Sequence, residues 1–144
     1  LYTLGLSMKA PLYADILAIC QDIANASNTD NDELRLASCK KLQQLCATNQ
    51  GSPKDHPLQW EALADFTEDG DQAMDIYEIA LATAEKLVLP VFTASAYLAM
   101  ALRQVEFEEK AQALVFANKA NEAAKTIDSD ELKAEITELL SQLT

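Results

Sequence analysis

Apolar residues recur at helical spacing along almost the whole chain, and the densest run is Pro90 to Phe107. Tyr97, Met100, Ala101 and Gln104 form one stripe there. Leu98, Leu102 and Val105 form a second on another face, with Arg103 and Glu106 as the only charges. A helix apolar on two faces needs cover on both, so this segment is expected to lie between neighbours, with the rest of the chain arranged to cover it.

The same periodicity predicts helices on either side. Pro11 opens one to about Asn25, with Leu12, Ile16, Ile19, Cys20 and Ile23 on one side, and Ser27 to Thr29 form the break after it. Asp30 with Glu33 has the spacing of a capping box for a second helix to about Thr48, whose apolar stripe is Leu34, Cys39, Leu42, Leu45 and Cys46. These two are expected to form an antiparallel pair. Asn49 to His56 is a Gly/Pro loop, and Pro57 then starts a short helix with Trp60, Leu63, Ala64 and Phe66 inward.

From Asp71 a long helix runs to about Val88, its small Ala73, Ala80 and Ala84 allowing close approach of a neighbour. Beyond Glu108 and Glu109 comes a helix with Ala113, Ala117, Ala120 and Ala124 inward, ending near Ile127. Asp128 and Glu131 are then placed to cap a last helix with Leu132, Ile136, Leu139, Leu140 and Leu143 inward. The prediction is an all-α chain of about seven helices in one domain over residues 1–144.

Composition agrees, since Ala, Leu, Glu, Lys and Gln dominate while 3 Gly and 4 Pro fall almost entirely between the periodic segments. The formal net charge of −12 is uneven. Residues 1–60 hold five basic and six acidic side chains, and residues 61–144 hold six and seventeen. Such a surface repels phosphate backbones and argues against nucleic acid. It keeps the domain in solution and favours a basic partner if it favours any. Leu1 to Lys9 is apolar, without the positive start of a signal peptide and far short of the ~20 residues of a membrane span. It is expected to be a packed arm of a cytoplasmic protein that does not engage a membrane.

Cys20, Cys39 and Cys46 lie on predicted helices and are expected to be reduced, buried small hydrophobes. Cys39 and Cys46 are two helical turns apart, too far to share a tetrahedral zinc, so no metal is expected. Asp65 to Gly70 imitates the start of a calcium loop. The imitation fails at Ala73 and Ile76, where the ninth and twelfth positions need oxygen ligands. His56, the only histidine, has no sequence-local partner to orient it. No catalytic constellation and no cofactor are expected.

From Pro57 to Ile127 the chain resembles the tetratricopeptide repeat family. Trp60-x2-Leu63-Ala64 is followed by Gly70-Asp71, Ala73-x3-Tyr77 and Ala80-Leu81. Tyr97-x2-Met100-Ala101 is followed by Ala113-x3-Ala117 and Ala120. The step from Tyr97 to Ala113 is 16 residues, as in the family. The step from Ala73 to Ala113 is 40 residues where the family period is 34, and Ala stands in place of the motif Gly at both sites.

The resemblance implies a right-handed antiparallel helical superhelix: an N-terminal helical pair over 11–48, two divergent repeats over 57–127 and a capping helix over 128–144. It implies a non-enzymatic module that holds a protein segment or peptide in a groove. The positions corresponding to the groove wall are Leu58, Glu61 and Asp65, then Ser95, Leu98, Leu102 and Val105. The cationic clamp by which some family members hold carboxylate tails is absent from them. The second stripe of the central helix is expected to face this groove, covered by the N-terminal helices, by a second copy in a homodimer, or by the partner. A self-associating structural domain and a small helical enzyme with an ordered pocket around His56 or Asp65 are the rival readings.

Overall fold

The computed structural model describes residues 9–144, so the first eight residues of the expected arm lie outside it. The described residues form seven α-helices and no strand: α1 Tyr13–Asn28, α2 Asp32–Asn49, α3 Pro57–Asp65, α4 Gly70–Lys86, α5 Pro90–Glu106, α6 Lys110–Ala123 and α7 Asp130–Leu143, with a short 3₁₀ turn Ala124–Thr126 before α7. The protein is all-α. None of these helices is long and apolar enough to cross a membrane.

Local chemistry moves several of the expected boundaries. Pro11 precedes α1 rather than opening it, and the helix runs on through Ser27. The start of α2 is capped one residue later than the Asp30/Glu33 spacing predicts. Asp30 has φ +54°, and Asn31 Oδ1 accepts from the Leu34 backbone N–H at 3.1 Å. Ser129, not Asp128, caps α7, its Oγ accepting from the Leu132 N–H at 3.3 Å. His56 caps α3 through Nδ1, which accepts from the Leu58 N–H at 3.1 Å, and Pro57 holds the first helical position. Asp69 caps α4 with 2.9 Å from the Gln72 N–H, so the acidic turn before it serves the helix start.

α1 and α2 pack on each other and then on α3, burying Ile16, Ile23, Leu42, Cys46, Leu58 and Trp60 together. The loop between α2 and α3 is fastened by Asp55. Its Oδ2 accepts from the Gly51 N–H at 2.9 Å, and its Oδ1 from the Trp60 indole N–H at 2.8 Å. Leu34, expected inward, is exposed, and the neighbouring Arg35 reaches Glu68 at 2.9 Å, tying α2 to the turn between α3 and α4. Cys46 is the one fully buried cysteine and its thiol donates to the Gln59 carbonyl at 3.3 Å, while Cys20 and Cys39 are half-buried.

α5 is buried on two sides, but its cover differs from expectation. Phe92 joins the N-terminal core and Met100 packs with Ala64, Ala73 and Tyr77. Ala94, Leu98 and Ala101 pack against Ala113, Ala117 and Ala120 of α6 and Leu132 and Ile136 of α7. Leu98 is thus covered by the C-terminal helices, because the short α3 carries the N-terminal pair and holds it away from this face. Four residues at most separate successive helices from α3 through α6, and such short connections make antiparallel neighbours.

A cleft at the centre of the helical array

Three helices leave a cleft of about 420 Å³ between them. α3 contributes Glu61 and Asp65, one turn apart, and α4 contributes Tyr77. α5 contributes Ser95, Leu98, Ala99, Leu102, Arg103 and Glu106 along one face, and Glu131 from the first turn of α7 closes one end. Five of the seven positions expected on a groove wall therefore meet here: Glu61, Asp65, Ser95, Leu98 and Leu102. The other two do not. Leu58 is 1 % exposed in the core under α1 and α2, because the short α3 is surrounded on nearly every side, and Val105 is exposed outside the cleft.

The polar groups are paired across helices. Ser95 Oγ donates to Glu61 Oε1 at 2.5 Å, joining α5 to α3. The Tyr77 hydroxyl donates to Asp65 Oδ1 at 2.5 Å, joining α4 to α3. Arg103 donates through Nη2 to the Ala64 carbonyl at 3.2 Å and lies 3.8 Å from Glu106, so its charge is engaged along α5 and at the end of α3. Arg103 and Glu106 stand out in the sequence only as the two charges of an apolar segment. Tyr77 reads there as a core aromatic, which at 3 % exposure it also is.

Glu61 is the unusual member. It is 3 % exposed, and its Oε2 has no hydrogen-bond partner among the described residues. Burial pushes its carboxyl up to about 8, the nearby charge of Asp65 adds to this, and the hydrogen bond from Ser95 opposes it. Asp65 is raised in the same direction by its protein surroundings, against the Tyr77 hydrogen bond and the Arg103 charge. It still reaches solvent, so the effect weighs less there than at Glu61. Burial together with Asp65 raises the Tyr77 hydroxyl.

A second depression of about 300 Å³ shares Asp65, Arg103 and Glu106 with the first and extends the surface toward Arg35 and Glu68. His56 lies elsewhere, half-buried with its ring edge-to-face on Phe92 at 4.8 Å and its Nδ1 spent on the helix cap. Among the described residues no group of His, Cys, Asp and Glu is arranged to hold a metal ion. Burial raises all three thiols, to about 11 at Cys20 and about 12 at Cys46, the opposite of what a reactive cysteine requires.

No protein-family model matches the chain, and no curated protein and no solved structure matches it.

Proposed function

We propose that the chain is a non-enzymatic protein-interaction module of the tetratricopeptide-repeat kind, whose central cleft receives a basic segment of another protein. The observation that carries this is the composition of the cleft, in which the carboxyl side chains of Glu61, Asp65, Glu106 and Glu131 outnumber the one cation that lines it among the described residues, Arg103, beside the apolar Leu98, Ala99 and Leu102. Concave walls with one sign of charge concentrate a ligand of the other sign. The acidic excess of residues 61–144 extends the same field beyond the cleft.

Fluorescence anisotropy tests this. A labelled lysine- and arginine-rich peptide is expected to bind saturably and its glutamate counterpart not to bind. Raising salt from about 0.1 M to 1 M, which shortens the Debye length from about 10 Å to 3 Å, is expected to weaken the complex. Equal binding of both peptides would refute the reading.

A second reading, an acid–base enzyme, has one observation in its favour: a carboxyl with a raised pKa inside a cleft. A carboxyl held protonated at neutral pH cannot take the proton of Ser95, however, and that hydroxyl is already spent on Glu61. Hydrolysis of ester or glycoside substrates that Glu61→Gln abolishes would turn the argument toward the enzyme.

A further inference from the structure

We infer that Glu61 marks a subsite for one primary ammonium group, that of a lysine side chain or a free alkylamine, with Leu98, Ala99 and Leu102 lining the same cleft as a surface for its methylene stem. This deepens the proposed binding of a basic segment and rests on it.

The argument starts from incompleteness. Glu61 Oε1 accepts from Ser95, but Oε2 is buried without a partner among the described residues. Among the described residues, the protonated carboxyl has a hydroxyl with no acceptor, and the ionised one has a buried charge with no cation. Both states are costly. Of the other charged groups in the cleft, Asp65, Glu106 and Glu131 repel a second negative charge, and Arg103 is engaged by Ala64 and Glu106. Tyr77 directs its hydroxyl to Asp65. A cation from outside completes the site. The terminal torsion of a glutamate is broad, so a small rotation presents Oε2 to the cleft.

The same hydrogen bonds choose between cations. Ser95 already donates to one oxygen of Glu61 and Tyr77 to one oxygen of Asp65, so among the described residues each carboxylate has one oxygen without a side-chain donor. A guanidinium is matched to two parallel oxygens of one carboxylate, whereas an ammonium is a point donor with three hydrogens that can divide among separate acceptors. The volume of about 420 Å³ lies within the range of ordinary small-ligand clefts.

The test titrates the protein with short peptides that differ only in one central residue, lysine, arginine or acetyl-lysine, and separately with n-butylamine. Amide chemical shifts locate binding, and calorimetry in buffers of different ionisation enthalpy counts protons. The lysine peptide is expected to shift the amides of Glu61, Asp65, Ser95 and Leu98 saturably. The arginine peptide is expected to bind at least about tenfold more weakly and the acetyl-lysine peptide not to bind.

Close to one proton is expected to leave the protein per lysine bound at pH 7, since pairing ionises Glu61. Glu61→Gln is expected to abolish both the proton release and the preference for lysine, and Ser95→Ala, which frees the second oxygen, to narrow the gap between lysine and arginine. Tighter binding of the peptide than of butylamine supports a lysine side chain, and equal binding supports a free amine. Binding of basic peptides with no lysine preference and no proton release overturns the subsite and leaves the basic-segment reading standing. Absence of any shift in the cleft overturns both.

Discussion

At the residue scale the molecule turns on Glu61, a carboxyl that the fold buries with one oxygen unpartnered among the described residues. Its pKa is raised above that of the unfolded chain, so the native state holds a proton that the unfolded state has released. Stability is therefore highest below the unfolded value near 4.5 and declines as pH rises toward about 8, above which the full cost is present. Glu61→Gln is expected to flatten that decline and raise the melting midpoint at pH 8.5, by up to a few kcal/mol of stability on the order-of-magnitude scale of one pKa unit per 1.4 kcal/mol. Thermal melts of both proteins across the range check it, and parallel curves would refute it.

The sequence placed Glu61, Asp65 and Ser95 on one wall through the repeat pattern. It could not show the bonds from Ser95 to Glu61 and from Tyr77 to Asp65, because helical spacing fixes which face a residue occupies and says nothing about which residue of another helix stands opposite. Tyr77 falls on an alanine stripe, so its hydroxyl was invisible behind its ring.

At the element scale the helices were legible because their apolar stripes are continuous, and their ends were less so because three of them close without glycine. Asp30, Val88 and Glu108 all adopt positive φ, +54°, +56° and +60°, just after α1, α4 and α5. At each, the residue's own amide and the next one turn back onto the helix, as in Val88 N–H to the Glu85 carbonyl and Leu89 N–H to the Ala84 carbonyl. A β-branched side chain is poorly suited to that conformation, and Val88 is 78 % exposed, so nothing is gained by its packing. Val88→Gly is expected to stabilise the protein by about 1 kcal/mol, read as a shift in the denaturant midpoint; destabilisation would contradict the C-cap assignment. Within helices, Ala80 and Ala120 are completely buried and Ala134 is exposed. Ala80→Leu and Ala120→Leu are expected to cost about 1 to 3 kcal/mol through overpacking, and Ala134→Leu much less, in the same denaturation measurement.

At the scale of the whole molecule, α5 is the element between two cores, as its two apolar stripes imply, but Leu98 of its second stripe is covered by none of the three candidates the sequence left open. Periodicity shows that a face is buried and not by which helix. Leu98 is covered by α6 and α7, while α1 and α2 are carried by α3. That arrangement leaves the polar ends of α3 and α5 facing each other across a cleft instead of sealing them under the N-terminal pair. The central claim is that this cleft is built around a carboxyl awaiting a cation. The most direct measurement is a carbon-13 titration of the Glu61 side-chain carboxyl, in the free protein and in the presence of saturating lysine peptide. The account predicts a midpoint near 8 in the free protein that falls toward the ordinary carboxylate range when the peptide is bound. An ordinary midpoint in the free protein, or a raised one that saturating peptide leaves unmoved, would contradict it.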